Sequence, residues 1–323
     1  MQAILVTAIG SFAADIVIKN LKKEGYKVIG CDIYKKEWIA DAYNVDYFYQ
    51  VPLVREEDKY LGCILKICRE KNIKFIVPLT DIEVDFYNKN RVIFEKEGIC
   101  LCISKQYAIE VCRNKLKLNQ YLKDKHICDI IPTYMLADVD INSLEYPVVI
   151  KPLNGRSSQG LHYVETVDAM NSFISQTDIK EYIVQPKIEG SILTVDIVRS
   201  EKSSMSVCMA RRELLRTLNG AGTSVYVFEN KELEEKCKKI ADLLDVNGCV
   251  NFEFIENNHG NLYFLECNPR FSGGVEFSCL SGYNFVINHI KCFMGKKIEN
   301  KNVTKNQYIA RKYEEYITQG EQL

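Results

Sequence analysis

The first hundred residues alternate short apolar runs with longer amphipathic segments, and this alternation limits the fold more than any other feature of the chain. Apolar runs that predict buried strands cover residues 3–7, 27–31, 75–78 and 99–103, and segments with helical spacing cover residues 13–24, 61–71 and 82–97. Strands that alternate with helices in this way form parallel sheets with right-handed crossovers. The sequence therefore predicts a small doubly wound α/β domain over residues 1–104.

The loop after the first predicted strand bears on whether this domain binds a dinucleotide. Gly10 and Ser11 follow that strand and Asp32 closes the second, but the next glycine after Gly10 is Gly25. A G-x-G-x-x-G loop needs its later glycines so that the backbone can approach the phosphates. We interpret the domain as a scaffold without dinucleotide, with a dehydrogenase as the less favoured alternative.

Composition excludes some partners. The 323 residues contain 42 basic and 43 acidic side chains, so no excess of positive charge is present to neutralise nucleic acid. The 13 cysteines show neither a CxxC pair nor zinc-ligand spacing, which indicates reduced core thiols and a cytoplasmic protein. No apolar run approaches the roughly 20 residues of a spanning helix, and the start lacks the basic region of a signal peptide.

A predicted hairpin near the end of the chain holds the strongest chemical signal. Its strands cover residues 249–256 and 261–267, and a turn centred near His259 places Glu253 nearly opposite Glu266. Facing carboxylates repel each other unless a cation lies between them. With Asn268 on the same face as Glu266, the three oxygen donors favour Mg²⁺. The alternative is a solvent-exposed strand face on which glutamate is harmless.

Candidate anion-binding residues precede and follow this hairpin. Lys151 ends an apolar strand and is followed by a loop that contains Gly155, Ser157, Ser158 and Gly160. Small residues let backbone N–H groups approach a phosphate, and serine hydroxyls donate as well. This loop with Lys151 is therefore a candidate phosphate clamp, although a strand-end lysine is more often simply solvated.

Three arginines could contact a negatively charged substrate. Arg270 follows the candidate metal ligands by two residues and could stabilise a phosphoryl group. Arg211 and Arg212 precede a loop with two glycines, where one of them could reach a substrate or both could lie on the surface. Asp81 and Glu83 are first-turn helix acids that could instead face the cleft and bind an amine.

Taken in order, these motifs resemble the ATP-grasp superfamily of carboxylate–amine ligases, and within it the carbamoyl-phosphate-synthase-like branch. The resemblance covers nearly the whole chain, and its most specific part is Glu253, a twelve-residue gap and Glu-x-Asn-Pro-Arg. It implies an α/β fold in which a Rossmann-like N-terminal domain precedes a two-lobed α+β ATP-grasp domain. The implied division is a pre-ATP-grasp domain at 1–104, a first lobe with a glycine-rich lid at 105–184, a second lobe with the metal site at 185–297, and a tail at 298–323.

The resemblance also implies roles for individual residues. The nucleotide would contact the two phosphate-binding lysines, the lid and the interlobe hinge, that is, Lys115, Lys151, Gly155, Ser157, Ser158, Gly160, Gln185, Pro186, Lys187, Ile188 and Glu189. One or two Mg²⁺ ions, with Mn²⁺ as an alternative, would bind Glu253, Glu266 and Asn268. The catalytic residues would be Arg270, Lys151 and Arg212, and the carboxylate substrate would lie near Arg212, Ser272, Gly273 and Gly274.

Two positions depart from the family pattern. The family often has a glutamate shortly after the hinge glycine to bind ribose, whereas this chain has Ser191 and Ile192 there. Ribose contacts would then come from Glu189 or from the backbone. The usual acid at the first hinge position is Gln185 here, which is a milder change.

The implied activity is an ATP-dependent ligase that converts a small carboxylate to an acyl phosphate and joins it to an amine. Two alternatives stay open beside the dehydrogenase: activation of bicarbonate through carboxyphosphate, and a nucleotide-binding regulatory protein without catalysis. The expected partners are small-molecule carboxylate and amine substrates and, as one form of assembly, a second copy in a homodimer. Neither nucleic acid nor a membrane is expected as a partner.

Overall fold

The computed structural model describes residues 2–155, 159–218, 220–300 and 306–319. Its first domain is a parallel sheet in the order β3-β2-β1-β4-β5, flanked by helices. The strands are Ala3–Thr7 (β1), Lys27–Asp32 (β2), Tyr47–Gln50 (β3), Phe75–Val77 (β4) and Cys100–Leu101 (β5), and the helices are Ala14–Lys23 (α1), Glu57–Lys71 (α2), Asp81–Lys89 (α3) and Arg91–Lys96 (α4). The predicted doubly wound α/β domain is confirmed.

Two asparagines break helices that the sequence predicts as continuous over residues 82–97 and 105–125. Asn90 separates α3 from α4, and its side chain donates to the Phe86 carbonyl at 2.9 Å. Asn114 is extended, and its side-chain oxygen accepts from the Lys117 N–H at 2.8 Å, which caps a new helix. Asparagine side chains compete with the helical backbone in this way. The break at Asn114 makes Lys115 the first residue of the helix that follows.

The rest of the chain forms two antiparallel-rich sheets. The smaller one has the order β7-β10-β8-β9 and the larger one β16-β13-β12-β11-β14-β15-β6. The elements are Gln106–Arg113 (α5), Lys115–Lys123 (α6), Asp129–Ile130 (β6), Tyr134–Met135 (β7), Val148–Pro152 (β8), His162–Val164 (β9), Val167–Gln176 (α7), Tyr182–Pro186 (β10), Gly190–Ser200 (β11), Met205–Arg216 (β12), Gly222–Val227 (β13), Lys231–Leu243 (α8), Gly248–Asn257 (β14), Leu262–Asn268 (β15), Val275–Leu280 (α9), Phe285–Phe293 (α10) and Gln307–Ala310 (β16).

Apolar packing joins the first domain and the helices α6 and α8 to the large sheet. One core cluster packs Leu118 of α6 and Ile240 of α8 against Phe252 of β14. Another packs Val17 of α1 against the helices α9 and α10, and so docks the first domain onto the large sheet. Because buried apolar surface drives this docking, the carboxyl end of β4 is held beside the end of β15. The predicted domain boundaries stay predictions.

Asp32, the acid that suggested a dinucleotide, has partners within its own domain. The side chain is 5% exposed, and its oxygens accept from the Gly10 N–H at 2.8 Å and the Tyr34 N–H at 3.1 Å. A side chain on Gly10 would approach this carboxylate to 3.2 Å. Asp32 therefore holds the loop after β1 in place, which favours the scaffold interpretation.

Other sequence expectations concern thiols and membranes. All 13 cysteines are free thiols in the structure. Among the helices that the structure describes, none combines the length and apolar character needed to cross a bilayer. The C-terminal residues, which were expected only to be a polar tail, contribute the edge strand β16, paired with β13.

His289 of α10 leads to a prediction about stability and pH. The ring lies between Phe271 and Phe293, its Nδ1 accepts from the Cys249 N–H at 2.8 Å, and burial lowers the pKa of His289 to about 3. The unfolded chain protonates near pH 6.5, so the native state loses stability as the pH falls below that value, by about 1.4 kcal/mol per pH unit. Urea unfolding at pH 7.5 and 5.5 should show this loss for the wild type and a smaller one for His289→Gln. Equal losses in both proteins would contradict the prediction.

Candidate active site

A cleft of about 890 Å³ lies between the small sheet, the large sheet and the loops at the carboxyl ends of β1 and β4. Each part of the chain contributes to its walls. The small sheet and the hinge supply Lys151 and Gln185, the large sheet supplies Glu253 and Glu266, and the first domain supplies Phe12 and Asp81. The candidate site residues from all three regions therefore face one space.

The two hairpin carboxylates are direct partners across β14 and β15. Glu253 pairs with Glu266, and Asn251 pairs with Asn268 in the same ladder. Burial, together with the charge of Glu266, raises the pKa of Glu253 to about 7. Burial alone would also raise the pKa of Glu266, but Lys115, Lys151 and the Asn268 amide hold it below the usual value.

Glu253 and Glu266, together with Asn268, could bind a cation. The Asn268 Nδ2 donates to Glu266 Oε1 at 3.2 Å and to Asn251 Oδ1 at 3.2 Å, which fixes the amide beside the carboxylates. Among the described residues no group of three or more carboxylate, histidine or cysteine side chains could hold a metal. Mg²⁺ characteristically takes one or two carboxylates and completes its shell with water and phosphate oxygens. The donors present fit such an ion.

Two buried lysines line the cleft beside Glu266. Lys115 and Lys151 are each 7% exposed. The Lys115 Nζ donates to the Gly155 carbonyl at 2.7 Å and lies 3.6 Å from Glu266 Oε2. Burial lowers the pKa of Lys151 to about 8, against the attraction of Glu266. An anion between the two lysines would offset the free-energy cost of burying their charges. This agrees with their predicted role in phosphate binding.

The glycine-rich loop begins and ends beside Pro152. A side chain on Gly160, which has φ +69°, would come within 2.9 Å of the Pro152 ring, so glycine is required there. Gly155 also lies against Pro152 and lines the cleft. Ser157 and Ser158, which the sequence also assigns to this loop, lie outside the described residues.

The predicted hinge residues all line the cleft. The Gln185 Nε2 donates to the Thr133 hydroxyl at 2.7 Å, so its side chain is held within the small sheet. Lys187 pairs with Glu189 at 2.9 Å, and Pro186 and Ile188 complete the segment. Ile192 lines the same wall. Glu189 thus lines the cleft while paired with Lys187, and its contact with ribose stays a prediction.

Arg270 is held by a carboxylate from the first domain. Its Nη2 donates to Asp81 Oδ2 at 2.7 Å and its Nη1 to the Phe271 carbonyl at 2.9 Å. Arg113 lies 3.7 Å from the other Asp81 oxygen. Burial would lower the pKa of Arg270, but Asp81 raises it above its usual value. Asp81 therefore faces the cleft, whereas Glu83 is buried in the first domain and accepts from Tyr60 at 3.0 Å.

The structure corrects the role given to Arg212. Adjacent residues of a strand point to opposite faces, and it is Arg211 that lines the cleft. Arg212 pairs with Glu256 and lies over the Phe228 ring at 5.5 Å, outside the cleft. The catalytic and substrate-binding role predicted for Arg212 is therefore wrong, because its side chain lies outside the cleft.

Arg211 anchors the segment that the sequence assigns to the substrate. It donates to Asp196 Oδ2 at 2.6 Å, to Glu213 Oε1 at 3.0 Å and to the Ser272 hydroxyl at 3.1 Å. Ser272, Gly273 and Gly274 all line the cleft. A side chain on Gly274 would approach Arg211 Nη2 to 2.8 Å. The network therefore holds the Ser272–Gly274 segment, which we call the substrate end of the cleft, in place.

This buried network supports a stability prediction. Asp196 is fully buried with Arg211, whereas Asp242 makes the same kind of pair with Arg199 at the same 2.6 Å distance but is half exposed. Asp196→Asn leaves a buried guanidinium short of one carboxylate and should lower the free energy of unfolding by about 3 kcal/mol. Asp242→Asn should cost less than about 1 kcal/mol. Similar losses for the two variants in urea unfolding would contradict this account.

Arg216 is not among the residues that the sequence predicts for the site. Its Nη2 donates to Glu253 Oε2 at 3.2 Å and its Nε to the Gly220 carbonyl at 2.7 Å. A register shift in β12 between Glu213 and Arg216 turns this side chain into the cleft. The only available signal was its place just before the glycine-containing loop, which does not reveal a bulge.

Comparison with known proteins agrees with this geometry. Residues 178–316 match the family model described as ATP-grasp in the biosynthetic pathway with Ter operon, and residues 4–102 match the PylC-like N-terminal domain. The chain carries an ATP-grasp domain behind a PylC-like N-terminal domain. The predicted superfamily and fold class are therefore confirmed, and ATP with Mg²⁺ are the cofactors that ATP-grasp ligases use.

Individual ATP-grasp relatives are distant in sequence. The D-alanine–D-alanine ligase of Francisella tularensis subsp. tularensis (strain WY96-3418) is 24% identical over 274 residues, which are 82% of this chain and 83% of the relative. The biotin carboxylase of Campylobacter jejuni, solved as a complex with a β,γ-ATP ligand, superposes with a TM-score of 0.77 at 18% identity and covers 95% of this chain and 74% of that one. For an L-amino acid ligase from Bacillus licheniformis the TM-score is 0.73 at 15% identity, with coverage of 91% and 74%.

Proposed function

We propose that this ATP-grasp chain is an ATP-dependent ligase that phosphorylates a small carboxylate and joins the activated acyl group to an amine. The observation that carries the proposal is the convergence in one cleft of the Glu253–Glu266 pair, the two buried lysines and Arg270. Two of the relatives named above are amino acid ligases, which favours an amino acid as the carboxylate. The cytoplasmic location and the homodimer stay predictions.

The nucleotide would lie along the wall made by the hinge and the two lysines. Lys115 and Lys151 supply fixed positive charge for the phosphates, and both are already desolvated, so little reorganisation accompanies binding. The backbone of Pro186 and Ile188 is the candidate adenine contact. Glu189, the charged residue at the end of the hinge, is the candidate ribose contact.

Glu253, Glu266 and Asn268 would hold Mg²⁺. When bound, the metal neutralises charge on the transferring phosphoryl group. Burial and the charge of Glu266 raise the pKa of Glu253, and Arg216 partly offsets this shift. Arg216 supplies a positive charge beside these carboxylates, because it donates to Glu253.

Arg270 would act on the substrate carboxylate. In the first step a carboxylate oxygen attacks the γ-phosphorus, ADP leaves, and an acyl phosphate forms. In the second step the amine attacks the acyl carbon, phosphate leaves, and the amine loses a proton. Arg270 stabilises the negative charge that develops in both steps, and closing of the cleft excludes water that would hydrolyse the intermediate.

A phosphate-release screen tests the proposal. The protein is incubated with ATP and Mg²⁺ and with each pair from a panel of carboxylates, including bicarbonate and all amino acids, and a panel of amines with ammonia. We expect release that depends on one carboxylate and is increased by an amine. Release with bicarbonate alone would favour the carboxyphosphate alternative, and ATP binding without release across the panel would contradict the ligase.

A further inference from the structure

The C-terminal segment, residues 306–319, reaches back to the substrate end of the cleft. Its strand β16 pairs with β13 through Ser224 and Ala310, and the Arg311 N–H then donates to the Thr223 carbonyl at 2.8 Å. Further along, the Thr318 hydroxyl donates to the Glu37 carbonyl in the first domain at 2.5 Å. The segment therefore runs from the large sheet to the first domain.

Arg311 connects three elements around the substrate end. Its Nη2 donates to the Gly273 carbonyl at 2.8 Å and its Nη1 to the Phe12 carbonyl at 3.4 Å. The guanidinium also lies 5.2 Å from the Phe12 ring and 5.3 Å from the Phe277 ring. Each carbonyl belongs to a residue that lines the cleft. Arg311 thus joins the loop after β1 to the segment that precedes α9.

The Gly273 segment is held from two sides by arginines. Arg211 binds the Ser272 hydroxyl from within the large sheet, and Arg311 binds the next carbonyl from outside. Gly273 itself lies beside Phe12 and Ala221, since a Cβ there would make ordinary van der Waals contacts with them at 3.6 Å and 3.7 Å. A charge-assisted bond to a carbonyl is stronger than a neutral one. Without Arg311, one of these two restraints on the cleft wall is lost.

We propose that Arg311 is a positioning residue that holds the Ser272–Gly274 segment and the Phe12 loop together, so that the C-terminal segment is part of the substrate site. The inference about substrate binding rests on the proposed ligase function. Arg311 does not itself act on the nucleotide, because the side-chain contacts described for it are with Phe12, Gly273 and Phe277 and not with the two lysines or the hinge. Its loss should therefore affect the carboxylate substrate and leave ATP alone.

The kinetic test compares Arg311→Ala, Arg311→Lys and the adjacent, exposed Lys312→Ala in the full chain. The probe is the carboxylate that gives the fastest phosphate release in the screen above. Arg311→Ala should lower kcat/KM for that carboxylate at least about tenfold while the KM for ATP changes less than about twofold. Arg311→Lys, which keeps one donor but not the planar group that contacts two carbonyls, should restore part of the loss. Lys312→Ala should match the wild type.

Amide hydrogen exchange on the ligand-free protein provides a second readout that needs no substrate. In Arg311→Ala the amides of Val275 and Phe277, which bond to Ser272 and Gly274, should exchange at least about fivefold faster, with no change in Lys312→Ala. Unchanged exchange, or a loss of activity that appears equally in the KM for ATP, would overturn the proposal. If the wild type releases no phosphate with any carboxylate, the proposed function fails, and the exchange result still decides the role of Arg311.

Discussion

Glu266→Gln should reduce ATP-dependent phosphate release at least about 1000-fold, the largest effect expected of any single change in this protein. Removal of one carboxylate takes away a metal ligand whose contribution to charge stabilisation is several kcal/mol, and about 4 kcal/mol corresponds to this factor. Glu266 also balances the positive charges of Lys115 and Lys151, so its substitution removes a counter-charge from the two lysines.

The matched control for this variant is Glu256→Gln. Glu256 lies on β14 in the same hairpin but pairs with Arg212 outside the cleft. Its substitution should leave the rate within about threefold of the wild type. Phosphate release by Glu266→Gln at the wild-type rate, with substrates that the wild type uses, would show that the metal site lies elsewhere.

Arg270→Met should lower kcat by about 100- to 1000-fold, which is the typical cost of removing one preorganised donor to a developing negative charge. The guanidinium lies two residues beyond Asn268 and is aimed by Asp81 from the first domain. ATP affinity, measured by calorimetry, should change less than about threefold because the lysines and the hinge are intact. A large loss of ATP affinity with unchanged kcat would contradict the assignment.

Two further variants separate Arg270 from its neighbours. Asp81→Asn keeps the guanidinium but removes the charge that aims it, so an intermediate loss in kcat is expected. Arg212→Met tests the correction made by the structure, since Arg212 lies outside the cleft. Its rate should stay within about threefold of the wild type, whereas the sequence-based role predicts a severe loss.

The sequence predicts local patterns well because short-range physics determines them. The alternation of apolar and polar residues on each side of the turn near His259 places Glu253 nearly opposite Glu266, and a register shift between Glu253 and Phe254 makes the two glutamates direct partners. The alternation of apolar runs with helical segments likewise predicts the parallel sheet of the first domain. The convergence of Lys115 and Lys151 on these carboxylates comes only from the family resemblance, because residues on different elements meet through tertiary packing.

Long-range and face-specific features could not be predicted in the same way. Arg270 and Asp81 are 189 residues apart, and no local pattern links them. On β12 both faces carry apolar residues, because Ala210 and Met209 are both buried, so alternation does not reveal whether Arg211 or Arg212 faces the cleft. The short strand β16 is stable only through its pairing with β13, so Arg311 gave no signal in the sequence.

The central claim is that a substrate carboxylate, and not water, attacks the γ-phosphorus. The most direct measurement follows ¹⁸O from the carboxylate into the released phosphate. With the carboxylate from the screen labelled in both oxygens, ATP, Mg²⁺ and the amine, the account predicts phosphate that carries one ¹⁸O atom per turnover. Unlabelled phosphate released in ordinary water would mean that water is the nucleophile, and would contradict the ligase mechanism.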